Sequence, residues 1–172
     1  MTMPIPKKVI DYLKEVKYGT DADYVPSTFA LEMLNLIKLI DGGMTENVTP
    51  SAHLKLFDSF INTEGKDIIN LCHRGFAKTS ALEYLIYRVA LYGDLPNLGK
   101  IPHMIFVGDT IDGGVKKMRK ALEYKFNNSD FLQQYLQEVK FTDIRWEFIR
   151  KDGSSLVVSA YGGKTNIMGT RE

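Results

Sequence analysis

The residue types able to do chemistry in this chain are concentrated in one stretch, Cys72-His73-Arg74-Gly75-Phe76-Ala77-Lys78-Thr79, followed at once by Ser80. An apolar run, Asp67-Ile68-Ile69-Asn70-Leu71, precedes it, and a helical pattern from Thr79 to Tyr92 follows. Strand, tight loop, Lys-Thr, helix is the layout of a phosphate-binding loop. In such a loop the backbone N–H groups at the helix start face the anion, and the helix dipole favours negative charge there. Lys78 would reach the β- and γ-phosphates as a point charge, and the Thr79 hydroxyl would ligate Mg²⁺. The pattern G-x-x-x-x-G-K-[ST] asks for glycine at Cys72 and at Ala77, and neither is glycine. Ala77 adds a Cβ where the backbone must approach phosphate, and Gly75 is an alternative source of the positive φ. A plain strand–turn–helix with a surface lysine accounts for the same residues.

The elements that must hold this loop can be read from spacing. Residues 7–17 show helical spacing at Val9, Ile10 and Leu13. Pro26-Ser27-Thr28 opens a second helix with Phe29, Met33, Leu36, Ile37 and Ile40 on one face, stopped by Gly42-Gly43. Thr49-Pro50 opens a third, Thr49 as cap and Pro50 in the first helical position, with Leu54, Phe57, Phe60 and Ile61 inward. After residue 62 the period changes. Ile68–Leu71 and Met104–Val107 read as strands, 112–126 and 130–137 as helices, and Trp146–Ile149 with Ser155–Ala160 as a hairpin around Asp152-Gly153. The expected fold is α/β: a phosphate-loop NTPase type of core with a largely parallel sheet over residues 63–172, and a helical extension over residues 1–62. The loop then follows the first strand, where open α/β sheets bind ligands.

Composition narrows the classes. The chain has 172 residues, 44% hydrophobic and 25% charged, which suits a packed domain. A formal net charge of +1 gives no global argument for nucleic acid. Lys116, Lys117, Arg119 and Lys120 cluster on one expected helix, as a solvated face or as a phosphate-backbone contact. The single cysteine, Cys72, excludes an intrachain disulfide and fits a reducing compartment. The first residues lack the apolar core of a signal peptide, and the longest apolar run, around Leu82–Leu91, carries Glu83 and Arg88, so no membrane role is expected. His53, His73, His103 and Cys72 do not show zinc-ligand spacing, and Asp143, Glu147 and Asp152 form no nuclease-like cluster.

A phosphate-loop ATPase also needs an apolar strand ending in an acid that holds Mg²⁺ and activates water. Met104-Ile105-Phe106-Val107-Gly108-Asp109 is the one candidate, and Thr110 follows where Glu is common. The expected strand over Leu156–Ala160 ends in Tyr161 and Gly162, and the chain then runs into a polar Gly-rich stretch up to Glu172. Either Asp109 is a reduced acidic motif or the motif lies beyond Glu172.

Taken in order, Thr49-Pro50-Ser51-Ala52-His53-Leu54-Lys55-Leu56, Asp67-Ile68-Ile69-Asn70 and His73-Arg74-Gly75-Phe76-Ala77-Lys78-Thr79 resemble the ATPase domain of bacteriophage large terminase subunits, the DNA-packaging motors. That family has a deviant phosphate loop with an arginine four residues before the lysine, as Arg74 stands here, and it tolerates alanine for the second glycine. Ile105-Phe106-Val107-Gly108-Asp109-Thr110 and the helix through Met118 and Leu122 are similar to its next strand and helix. Lys164-Thr165-Asn166-Ile167-Met168-Gly169-Thr170-Arg171 resembles the segment before its acidic strand, with Met168 where the family usually has arginine. The resemblance spans His53 to Glu172 and implies an incomplete ATPase domain, ending before the acidic strand and the nuclease domain.

It further implies ATP and Mg²⁺ as cofactors, with His73, Arg74, Gly75, Phe76, Ala77, Lys78, Thr79 and Ser80 around the phosphates. Thr79 would lie on the metal, Arg74 would sense the γ-phosphate or help stabilise charge in the transition state, and Arg171 would be an arginine finger for a neighbouring subunit, though a surface arginine in a loop explains it equally well. His53 falls where the family contacts adenine; a capped helix with one polar histidine explains it equally well. The implied partners are double-stranded DNA, the remaining C-terminal part of the terminase, the small terminase subunit, the portal protein and further copies in a ring. The implied location is the host cytoplasm, at the procapsid. Two other readings stay open: a small stand-alone NTPase using Asp109, and a non-enzymatic remnant whose loop is only structural.

Overall fold

A computed structural model of the chain describes residues 24–42, 49–61 and 76–163. The expected helix over residues 7–17, the expected strand Ile68–Leu71, the loop residues Cys72 to Gly75 and the stretch from Lys164 onward lie outside the described residues. The chain forms two compact units, one of residues 1–84 with 96–98 and one of residues 85–95 with 99–172.

The first unit is helical where described. Helix α1 (Thr28–Ile40) starts at Ser27, whose Oγ accepts from the Ala30 N–H at 3.1 Å, the usual way an orphan donor is capped. Phe29, Met33, Leu36 and Ile40 recur every three or four residues and are buried. The helix stops at Asp41, and Gly42 turns the chain with φ +68°. Helix α2 (Ser51–Ser59) buries Leu54, Leu56 and Phe57, while Phe60 and Ile61 are half-buried. Its cap differs from expectation. Pro50 is itself the N-cap, with extended ψ of 143°, so the helix begins one residue later and no side chain caps it. Asp58 near the end of α2 accepts from the Ser27 N–H and hydroxyl and from the Tyr24 hydroxyl, tying α2 to the start of α1.

Helix α3 (Lys78–Tyr92) follows the candidate loop, as expected from its pattern, and the unit boundary falls inside it after Tyr84. The second unit continues with the two-residue strands β1 (Asp94–Leu95) and β2 (Gly99–Lys100), an antiparallel pair. Strand β3 (His103–Gly108) leads through a π-helical turn (Ile111–Val115) into α4 (Lys116–Asn127). A short α5 (Asp130–Tyr135) runs directly into β4 (Leu136–Phe141), then β5 (Arg145–Arg150) and β6 (Ser155–Gly162).

The protein is thus mixed α/β, with a four-stranded sheet in the order β3-β6-β5-β4. The expectation of a largely parallel sheet needs correction for the described strands. Only β3 and β6 are parallel, in register from His103↔Val157 to Gly108↔Gly162, while β5–β6 and β4–β5 are antiparallel. The reason is connection length. Three residues link β4 to β5 and four link β5 to β6, too few for the crossover a parallel pair requires. The expected helix over residues 130–137 likewise ends early, because Leu136, Val139 and Phe141 enter a strand instead.

One sheet face holds the core of this unit. Trp146, Phe148, Leu156, Val158 and Ala160 are buried there together with Tyr87 from α3 and Met118 and Leu122 from α4. Tyr87 meets Phe148 edge-on at 5.5 Å and donates its hydroxyl to the Leu122 carbonyl at 2.5 Å. Arg150 closes the far end of α3: its Nη1 donates to the Ala90 carbonyl at 2.8 Å, where a cation also meets the negative end of the helix dipole.

Candidate functional site

The start of α3, like that of α2 and unlike those of α1, the π-helical turn and α5, shows no side-chain cap among the described residues. The π-helical turn is capped by Thr110, whose Oγ1 accepts from the Gly113 N–H at 2.8 Å, and α5 by Ser129, which accepts from Leu132 at 3.4 Å. At α3 the Ala81 N–H donates to the Ala77 carbonyl at 2.9 Å, which makes Ala77 the N-cap. Alanine has no side-chain oxygen to offer. The N–H groups of Lys78, Thr79 and Ser80 have no carbonyl within the helix to bond, and none of the described residues accepts from them. Ala77, Lys78 and Thr79 are exposed, and Ser80 is half-buried. Three backbone donors at the positive end of a 15-residue helix, with a lysine and a threonine hydroxyl beside them, form an arrangement that accepts an anion.

Ala77 has φ +57°, the left-handed region that a residue with a Cβ rarely adopts. The positive φ therefore lies at the position where the phosphate-loop pattern asks for glycine. Such a conformation persists only when its surroundings over-determine it. Among the described residues, α2 supplies contacts to the adjoining Phe76. His53 Nε2 lies 3.0 Å from the Phe76 carbonyl oxygen. The partner is an acceptor, so Nε2 carries the proton and donates. The imidazole also meets the Phe76 ring edge-on, with centroids 4.7 Å apart and planes at 70°.

Beside the loop, within the same unit, lies a pocket of ≈ 260 Å³. Ile37 and Asp41 of α1, His53 and Phe57 of α2, and Ser80 and Tyr84 of α3 are among its walls, which are mostly apolar. The Tyr84 hydroxyl donates to Asp41 Oδ2 at 2.6 Å. Burial, then that hydrogen bond and the Asp41 charge, push the Tyr84 phenol well above its ordinary range, so it is a fixed neutral donor at physiological pH. Sequence reading did not anticipate the Tyr84–Asp41 pair. Its members are 43 positions apart, and no local spacing signals such a meeting.

The structure thus groups His53, Phe76, Ala77, Lys78, Thr79 and Ser80 in one unit. His73, Arg74, Gly75 and Arg171 lie outside the described residues. Asp109 is in the second unit, exposed at the end of β3, where its Oδ1 accepts from the Thr110 N–H at 2.7 Å. Among the described residues no group of three or more His, Cys, Asp or Glu is placed to hold a metal ion. Of the basic run on α4, Lys116 pairs with Asp112 at 2.7 Å and Arg119 with Asp143 at 3.4 Å, while Lys117 and Lys120 are exposed. No helix among the described residues is long and apolar enough to cross a membrane.

No protein-family model matches the chain, and neither a curated protein nor a solved structure is significantly similar to it.

Proposed function

We propose that the chain binds ATP with Mg²⁺ at the start of α3, as the nucleotide-binding part of a DNA-packaging ATPase of the large-terminase type. The observation that carries the nucleotide reading is the backbone of Ala77. A left-handed residue directly before Lys78-Thr79, at a helix start whose first N–H groups find no acceptor among the described residues, is what a phosphate loop requires and what an ordinary capped helix does not. The packaging reading rests in addition on the ordered sequence resemblance from His53 to Glu172, and with it the partners: double-stranded DNA, the remaining part of the terminase, the small subunit, the portal and a ring of copies at the procapsid.

In this reading the N–H groups of Lys78, Thr79 and Ser80 hold the phosphate oxygens and Lys78 adds a mobile positive charge. The Thr79 hydroxyl would supply one ligand to Mg²⁺, and Arg74 would sense the γ-phosphate. Bound ATP–Mg²⁺ supplies the phosphoryl group whose transfer drives translocation, and the chain contributes positioning and charge stabilisation. The pocket beside the loop suits the base. At ≈ 260 Å³ it lies just below the usual size of ligand pockets, about 300–1,000 Å³, so it would take a base with the phosphates outside it.

Ligand-linked melting tests this. ATP with Mg²⁺ at a hundredfold over its Kd is expected to stabilise the protein by about 2.7 kcal/mol. Lys78→Ala is expected to abolish that shift while leaving the ligand-free melting temperature nearly unchanged, because Lys78 is exposed. Equal shifts in the wild type and the Lys78 variant would remove the phosphate-loop assignment.

A further inference from the structure

We infer that His53 is a positioning residue for the phosphate loop, acting through the Phe76 carbonyl and not through the nucleotide base. The inference rests on the nucleotide reading above. The Phe76 carbonyl and the Ala77 N–H belong to one rigid peptide plane. Rotation of that plane about the Ala77 N–Cα bond is φ of Ala77, the angle that stands at +57°. A donor fixed on the carbonyl therefore sets that angle. His53 is that donor, at 3.0 Å, and its edge-on contact with the Phe76 ring at 4.7 Å restrains the same residue from the side-chain end. The donor is itself held still: α2 buries Leu54, Leu56 and Phe57 on the turns around His53. Glycine in this place would adopt the left-handed conformation unaided. Alanine needs an external restraint, and His53 supplies a hydrogen bond to its peptide plane. Substitution of glycine by alanine in the loop and recruitment of a histidine from a neighbouring helix are two halves of one device.

His53 also lines the pocket, so a direct contact with the base is the competing role. The two roles separate by ligand. Binding of ATP and of inorganic tripolyphosphate, each with Mg²⁺, is measured by calorimetry on the full chain. His53→Phe keeps an aromatic edge against Phe76 but cannot donate. It is expected to weaken both ligands alike, by about tenfold, the loss of one hydrogen bond. His53→Gln, whose amide can donate to the carbonyl, is expected to restore most of the affinity for both. Should the Phe variant fail to fold, His53→Asn repeats the test at the same half-exposed position with a side chain too short for the carbonyl. Unchanged tripolyphosphate affinity in the donor-less variants overturns the inference, whether ATP binding falls or not. Lys78→Ala runs beside them. If it leaves both ligands bound, the nucleotide reading itself fails. If it abolishes binding and the His53 variants bind tripolyphosphate normally, only the positioning role fails.

Discussion

Ala77 is where the sequence departs from the phosphate-loop pattern and where the structure departs from ordinary backbone. The two facts have one explanation. Under the nucleotide reading proposed above, a phosphate loop calls for positive φ before the lysine, and Ala77 adopts it at a cost. Ala77→Gly is expected to stabilise the protein by about 0.5–1 kcal/mol, since removing Cβ strain outweighs the added freedom of the unfolded chain. Urea denaturation reads this directly, and a destabilised variant would contradict a left-handed Ala77. Lys78 and Thr79 stand out as candidates from type and order alone, because the motif is contiguous in the chain. His53's bond to Phe76 was not, because it joins positions 23 apart.

Helices were the most legible elements, for a physical reason. The apolar face of α1 repeats over three turns, Ser27 and Gly42 punctuate it at both ends, and α3 carries a long run of mostly apolar residues that is buried from Glu83 to Ala90. The β5–β6 hairpin was legible from Asp152-Gly153. Its loop takes four residues, with Gly153 at φ +82° after a turn closed by the Gly153 N–H to the Arg150 carbonyl at 3.0 Å. Strand β4 was hidden because a six-residue helix abuts it without a linker and its register shifts at Leu136/Glu138. The junction from β3 to α4 depends on close packing that local sequence does not display. A Cβ on Gly114 would stand 2.5 Å from Asp109 Oδ1 and 3.0 Å from the Gly108 Cα. Gly114→Ala is therefore expected to destabilise the protein by about 1–3 kcal/mol through overpacking against strand and loop atoms. An unchanged urea midpoint would mean that the π-helical turn is not seated against the end of β3.

For the chain as a functioning whole, the open question is the acid. Lys78 belongs to the first unit and Asp109 to the second, at the carboxyl end of a parallel strand, where α/β sheets carry ligand-binding residues. One of its carboxylate oxygens already serves the Thr110 N–H. Under the packaging reading, the chain alone binds ATP with little turnover, and Asp109→Asn changes neither. Metal-dependent hydrolysis by this chain, lost in both Lys78→Ala and Asp109→Asn, would move the assignment to a stand-alone NTPase. What amino-acid order established is the mixed α/β character and the helix positions. Each depends on neighbours within one or two turns, which local periodicity and contiguous motifs record. What only the folded chain decided is the mixed strand order, the Tyr84–Asp41 pair, and the bond from His53 that meets the strained alanine. Those depend on residues far apart in sequence, brought together by the burial of helix and sheet faces, and no spacing along the chain encodes that meeting.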